Sequence, residues 1–336
     1  MRMRGYVCAI FTCAVVAILS GCAALQPNAG AVSSPAVLAS VPVGEGPTLL
    51  AVSPDGSRVY AAANAKLSVI DTADNRVLAT LPIDPYPAGL ALTPDGKRAF
   101  VSSLFSVHLV TVDLVVDAVL TPIDLFADRF RGGFGFIAVT PDGKSAWVAN
   151  QANQVLGIVG IAKADTNSQN MDMRPVDIAI TPNGRAAYIA GCKNFCATGT
   201  VEVLDTRSLV VTASITIGSN PYRVKLSADG TRAYTTNLGA ATVSVIDVAT
   251  NSVTATVPVP VEPTGLAVSP DGALTFVASQ PAGTISVINN TTNEVQAKGR
   301  VAGSVRDVVV TPDGKRLYVS TRNSVVVVDV QTLIAG

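Results

Sequence analysis

A four-residue turn signature recurs seven times along the chain, and it constrains the fold more than any other feature of the sequence. The copies are Ser53-Pro54-Asp55-Gly56, Thr93-Pro94-Asp95-Gly96, Thr140-Pro141-Asp142-Gly143, Thr181-Pro182-Asn183-Gly184, Ser227-Ala228-Asp229-Gly230, Ser269-Pro270-Asp271-Gly272 and Thr311-Pro312-Asp313-Gly314. They are spaced by 40 to 47 residues. Proline pre-sets φ, Asp or Asn bonds back to the backbone, and glycine accepts a left-handed conformation, so each copy reads as a tight hairpin turn.

The surroundings of the turn repeat with it. An apolar strand precedes each copy, as in Gly265-Leu266-Ala267-Val268. Six residues after the proline position stands an aromatic: Tyr60, Phe100, Trp147, Tyr188, Tyr234, Phe276 and Tyr318. A third strand of the type Val243-Ser244-Val245-Ile246-Asp247 and a fourth of the type Val253-Thr254-Ala255-Thr256-Val257 follow. Four short β-branched strands per 40–45 residues have the size of one propeller blade. Both faces of a blade are covered by neighbours, which explains inner strands that are apolar almost without alternation. The sequence therefore predicts an all-β, seven-bladed β-propeller over residues 36–336.

Ring closure is also readable. The last module has only three strands, whereas Ala39-Ser40-Val41-Pro42-Val43 ahead of the first module matches the fourth strand Ala255-Thr256-Val257-Pro258-Val259. The N-terminal strand is expected to complete the last blade. Prolines such as Pro42, Pro82, Pro122 and Pro258 recur in fourth strands, which places those strands at the rim, where a missing N–H faces solvent.

Tyr234-Thr235-Thr236-Asn237, Trp147-Val148-Ala149-Asn150, the Pro-Asp-Gly turns and the turn Asp247-Val248-Ala249-Thr250-Asn251 resemble the YVTN-type β-propeller repeat family over roughly residues 36–332. The resemblance implies architecture and, for family members, an association with microbial surfaces; it implies little about chemistry. Blade 3 departs from the pattern. Gly160 stands where other blades close strand three with Asp or Asn, and residues 163–173 are polar, so the sequence leaves that outer strand open.

Residues 1–21 read as an export signal: Arg2 and Arg4, then an uncharged apolar run from Tyr6 to Leu19. The run is short of the roughly 20 apolar residues that span a bilayer. Leu19-Ser20-Gly21-Cys22 resembles the bacterial lipobox, which implies cleavage before Cys22 and acylation of its sulfur; an ordinary signal peptide cut elsewhere is the alternative. Ala23 in place of Asp would direct a lipoprotein of a Gram-negative cell to the outer membrane. Residues 22–35, rich in Ala, Gly, Ser and Pro, read as a flexible tether. The expected location is outside the cytoplasm, on a membrane through the lipid.

Composition narrows the function classes. With 24 basic and 24 acidic residues the chain has no field to attract nucleic acid, and a monomer is expected. The single histidine, His108, excludes a cluster of imidazoles, and no Gly-x-Ser-x-Gly elbow accompanies it. Glu45, Glu202, Glu262 and Glu294 are the only glutamates, and no Asp-rich calcium loop is present. Neither a metal nor another cofactor is expected. Cys8 and Cys13 fall in the signal, leaving Cys192 and Cys196 in the body, in an enlarged loop of blade 4. A disulfide is the expectation in an oxidising compartment, with a metal or redox pair as the alternative.

The irregular segments all fall on one face, formed by the loops between strands two and three and the loops joining blades. They carry Phe126, Arg129, Phe130, Arg131, Arg174 and Phe195. At the start of the inner strands the blades present Leu49, Gly89, Phe136, Asp177, Arg223, Gly265 and Asp307, with Tyr222 and Arg306 adjacent. The set Phe126, Arg129, Phe130, Arg131, Arg174, Asp177, Phe195, Tyr222, Arg223 and Asp307 is the expected site for a protein or small-molecule partner. The alternative for Asp177, Arg223 and Asp307 is an ion-pair network that closes the channel. Two function classes follow: a non-catalytic binding scaffold, or a channel-mouth enzyme such as a lactonase, lyase or quinone-type dehydrogenase. An accessory module of an exported redox pathway is a further possibility within the scaffold reading.

Overall fold

Seven antiparallel sheets, each made largely of four strands, follow one another in chain order around a ring. The computed structural model describes residues 37–125, 133–193 and 196–335. Residues 1–35, read from the sequence as an export signal and a tether beginning at Cys22, lie outside the described residues.

Blade 5 shows how sequence becomes structure. Its strands are Pro221–Leu226, Arg232–Asn237, Thr242–Asp247 and Ser252–Pro258. At the turn between the first two, the Ser227 hydroxyl donates to Asp229 Oδ1 at 2.5 Å, and the same oxygen accepts the Thr231 N–H at 3.0 Å. Gly230, at φ 68°, donates its N–H to Ser227 O at 2.9 Å. This is the copy in which Ala228 replaces proline, so hydroxyl, carboxylate and glycine suffice to make the turn.

The proline does something else. A Cβ added to Gly96 would meet Pro54 Cδ at 3.2 Å, and one on Gly56 would meet Pro312 Cδ at 3.1 Å. The same approach of proline to the next blade's glycine recurs from Pro94 to Gly143, Pro141 to Gly184, Pro182 to Gly230 and Pro270 to Gly314. Only Gly272, which follows the Ala228 turn, has open space at that position. The turns therefore form a ring of inter-blade contacts on one face.

The core lies between blades. Tyr188, Ala190, Val201 and Val203 of blade 4 pack with Val224, Ala233 and Ile246 of blade 5, and equivalent clusters fill the other boundaries. The seven repeated aromatics are all buried there. Burying one large side chain of this kind contributes roughly 1.5–3 kcal/mol, so the repeat period and the core are one property of the sequence.

Blade 7 is built from both ends of the described chain. Val37–Pro42 runs antiparallel to Ser324–Asp329, with Val41 opposite Val325 and Pro42 opposite Ser324. Val41 and Val43 are buried with Leu50, Tyr318 and Val327, which ties the N-terminal strand to blades 7 and 1. This is the closure expected from the sequence.

Three details differ from the regular pattern. The outer strand of blade 3 does form: Thr166–Asn170 pairs with Val155–Gly160 along its whole length. A rim strand needs backbone partners on one edge and little burial, so polar side chains suffice, and the Asp165 carboxylate occupies the space a side chain on Gly160 would take. The outer strand of blade 2 is split into Ala118–Val119 and Ile123–Asp124, with Pro122 in the break. Finally, the helix Val330–Ala335 follows the last strand, its Val330 and Leu333 buried. Asp329, which in other blades would start a hairpin turn, here accepts the Thr332 N–H at 2.7 Å and caps that helix.

Candidate functional site

The innermost strand of each blade has one edge without a strand partner, and that edge lines the central channel. Near its start, blades 4 and 7 carry Asp177 and Asp307. Asp307 Oδ2 accepts the N–H of Leu50 in blade 1 at 2.9 Å, and its Oδ1 accepts its neighbour Val308 at 3.1 Å. Asp177 does the same for Val224 of blade 5 and for Ile178, each at 2.9 Å. The two carboxylates thus satisfy free donors of the following blade and link 7 to 1 and 4 to 5.

Arg223, 6% exposed, reaches between them. Its Nη2 donates to Asp307 Oδ1 at 3.1 Å and to Oδ2 at 3.3 Å, and its Nε lies 4.0 Å from Asp177 Oδ2. The guanidinium sits 4.1 Å from the centre of the Phe136 ring, against which Tyr222 packs edge-on at 5.5 Å. Burial opposes the charge on Arg223, but Asp307 and Asp177 outweigh it and hold the guanidinium above its usual value. The ion-pair network across the channel is therefore present.

Above this floor, on the face carrying the loops, opens a cavity of about 640 Å³ to which all seven blades contribute. Its rim carries Arg174, Tyr222 and Arg306, and its wall includes Gln151, Thr264 and Gln280. Thr264 is buried, and its hydroxyl has no hydrogen-bond partner among the described residues. The size and the few convergent polar groups are those of a small-molecule pocket.

The residues expected from the sequence divide into layers. Arg174 and Tyr222 line the cavity; Asp177, Arg223 and Asp307 lie in or against its floor. Phe126, Arg129, Phe130, Arg131 and Phe195 lie outside the described residues. Sequence reasoning missed Tyr86 and Phe105, which stack edge-on at 5.3 Å beside the cavity and are 58% and 75% exposed. The signal was available: Leu104-Phe105 occupies a loop that in blades 1, 3 and 6 holds small or polar residues such as Asn64-Ala65.

Cys192 and Cys196 form a disulfide, with Cα atoms 4.8 Å apart. It closes the tip of a hairpin whose strands, Ala186–Lys193 and Thr198–Asp205, are each eight residues long where most equivalents have six. Lys193 Nζ lies 3.2 Å from Glu202 Oε1 on the same hairpin. His108 sits at a loop edge with Nε2 2.9 Å from Asp84 Oδ2, which gives it a structural partner.

No protein-family model matches this chain, and no curated protein matches it. Among solved structures it is similar to Kuenenia stuttgartiensis Hydrazine Synthase, with a TM-score of 0.78 over 91% of this chain and 99% of that one, at 18% identity. At that identity the likeness extends to the fold: the chain is a seven-bladed β-propeller.

Proposed function

We propose that this chain is an exported binding protein that takes a ligand or partner protein on its loop-rich face and performs no chemistry itself. In this reading it belongs to the YVTN-type propellers and is held at a membrane by lipid on Cys22, with residues 22–35 as the tether. The observation that supports it is the cavity of about 640 Å³ lined by all seven blades, rimmed by Arg174, Tyr222 and Arg306 and flanked by the exposed Tyr86–Phe105 pair. Aromatic and arginine side chains anchor interfaces because they combine large contact area with directional donors. The opposite face repeats one short turn seven times and offers little individuality.

The test is affinity capture of the tagged full chain from detergent-solubilised membranes, followed by the variants Phe105→Ala with Arg306→Ala and Asp95→Ala with Lys97→Ala. Loss of the captured partner in the first pair alone supports the reading; loss in the second pair alone places the site on the other face. Intact mass of the membrane fraction tests the anchor. A mature chain that does not begin at an acylated Cys22 removes that part of the proposal.

A further inference from the structure

Beneath the Arg223 floor the channel continues as a second cavity of about 550 Å³ that opens toward the Pro-Asp-Gly turns. Two residues beyond the ring that contains Arg223, the inner strands present Ala51, Ala91, Ala138, Ala179, Ala267 and Val309 in six blades. Blade 5 alone places a charged residue there, Lys225, half-buried in the wall. The other side chains around it are mainly alanine, valine, leucine and isoleucine, and between them the unpaired backbone edges of the inner strands add polar surface.

Lys225 has no carboxylate within ion-pairing distance among the described residues, and no hydrogen bond to its ammonium. The nearby carboxylates are already engaged. Asp307 takes Arg223 and two backbone N–H groups; Asp177 takes two backbone N–H groups and lies beside Arg223 Nε. The sevenfold pattern has thus been broken at one blade to put a cation without a contact counter-ion into a channel lined by aliphatic side chains. Burial, and then the neighbouring Arg223, hold its ammonium below its usual value, with Asp177 and Asp307 pulling the other way. A half-buried cation of this kind gains a charge-assisted hydrogen bond from an incoming anion.

We infer that the lower channel is a binding site for small aliphatic carboxylates, with Lys225 holding the carboxylate and the alanine, valine, leucine and isoleucine wall receiving the hydrocarbon. The site is separate from the loop-face cavity, because Arg223, Asp177 and Asp307 lie between them. A neutral molecule of the same shape gains the apolar contacts and lacks the ion pair, so charge at Lys225 is the specificity element.

Calorimetric titration of the full chain with octanoate, and with octanol as the neutral control, tests this. Octanoate is expected to bind saturably, and Lys225→Met to weaken it about tenfold or more while leaving octanol unchanged. Lys225→Arg is expected to restore most of the affinity. Arg306→Ala, on the other face, is expected to leave octanoate binding as it was, so failure here is distinguishable from failure of the loop-face reading. No saturable octanoate binding, or equal affinity in wild type and Lys225→Met, overturns the inference. If Lys225→Met does not fold, reductive methylation of the unmodified protein decides. Octanoate is expected to protect Lys225 from methylation, and an unprotected Lys225 overturns the site.

Discussion

The phenolic hydroxyl of Tyr188, on the second strand of blade 4, donates to Asn251 Oδ1 in blade 5 at 2.5 Å. Tyr318 of blade 7 makes the same bond to Asn75 of blade 1, at 3.0 Å. Both asparagines are left-handed, with φ of 51° and 58°, and end the turn before a fourth strand. At the boundary of blades 5 and 6 the equivalent Tyr234 hydroxyl and Asn293 Oδ1 are both buried but are not hydrogen-bonded to each other. Where the aromatic has no phenol the partner position changes with it. Leu209, also left-handed, packs in the cluster of Trp147, and Ala164 holds the position that follows Phe100.

The pairing predicts energetic coupling between blades. Tyr188→Phe leaves Asn251 Oδ1 without its donor and should cost about 1–3 kcal/mol in denaturant unfolding. In a double-mutant cycle with Asn251→Gly, a coupling of about 1 kcal/mol is expected. Additive effects would show that the bond contributes nothing across the boundary.

The same phenols predict an alkaline limit. Burial pushes the Tyr188 hydroxyl from 10.0 up to about 12, and it also raises Tyr60, Tyr234 and Tyr318. The unfolded chain then loses these protons first. Their contribution is fully present below pH about 10 and is lost as pH rises toward about 12. Denaturation midpoints measured across that interval should fall, and less steeply in Tyr188→Phe.

On the acid side, the Ser53 hydroxyl and the Ser57 N–H and hydroxyl hold Asp55 at about 2, below its ordinary 3.8. The other turn aspartates, Asp95, Asp142, Asp229, Asp271 and Asp313, are lowered in the same way. A lowered carboxyl contributes stability above its unfolded value and loses it as pH falls through the folded one, so the window runs from about 4 down to about 2. Asn183 already serves in blade 4, where its Oδ1 accepts the Thr181 hydroxyl and the Arg185 N–H. Asp55→Asn should therefore fold and shrink the acid loss; an unchanged acid profile would count against the turns as its source.

Ala228→Pro should stabilise the protein. The position holds proline in the six other turns, and a ring there would fill the open space beside Gly272. The expected gain is about 0.4–1 kcal/mol from restricting the unfolded chain, read as a melting temperature higher by about 1–3 °C. A lower melting temperature would mean that this turn differs from its six relatives.

Removing Asp307 should be costly. Asp307→Ala strands the buried Arg223 charge and leaves the Leu50 N–H without its acceptor, for an expected loss of about 3–5 kcal/mol. Equilibrium unfolding of that variant measures it. A loss below about 1 kcal/mol would show that Arg223 finds water instead.

The blade count, the strand order, the buried aromatics and the N-terminal closure follow from the sequence by itself, because each is a local pattern repeated in phase. Turn chemistry depends on a few neighbouring residues, and one strand's periodicity reports its own burial. The ring of Asp177, Arg223 and Asp307 was legible as a set of equivalent positions, since those are found by counting from the turn. What each member does was settled only by tertiary structure. Asp307 bonds to Leu50 across 257 positions of sequence, and Tyr188 to Asn251 across 63, contacts that exist only once the blades stand side by side. The outer strand of blade 3 was hidden for a related reason. Thr166–Asn170 takes its stability from backbone pairing with Val155–Gly160, and backbone hydrogen bonds leave no mark on side-chain composition. The role of Pro54 against Gly96 likewise belongs to the ring, because a single turn holds its shape without proline, as Ala228 shows.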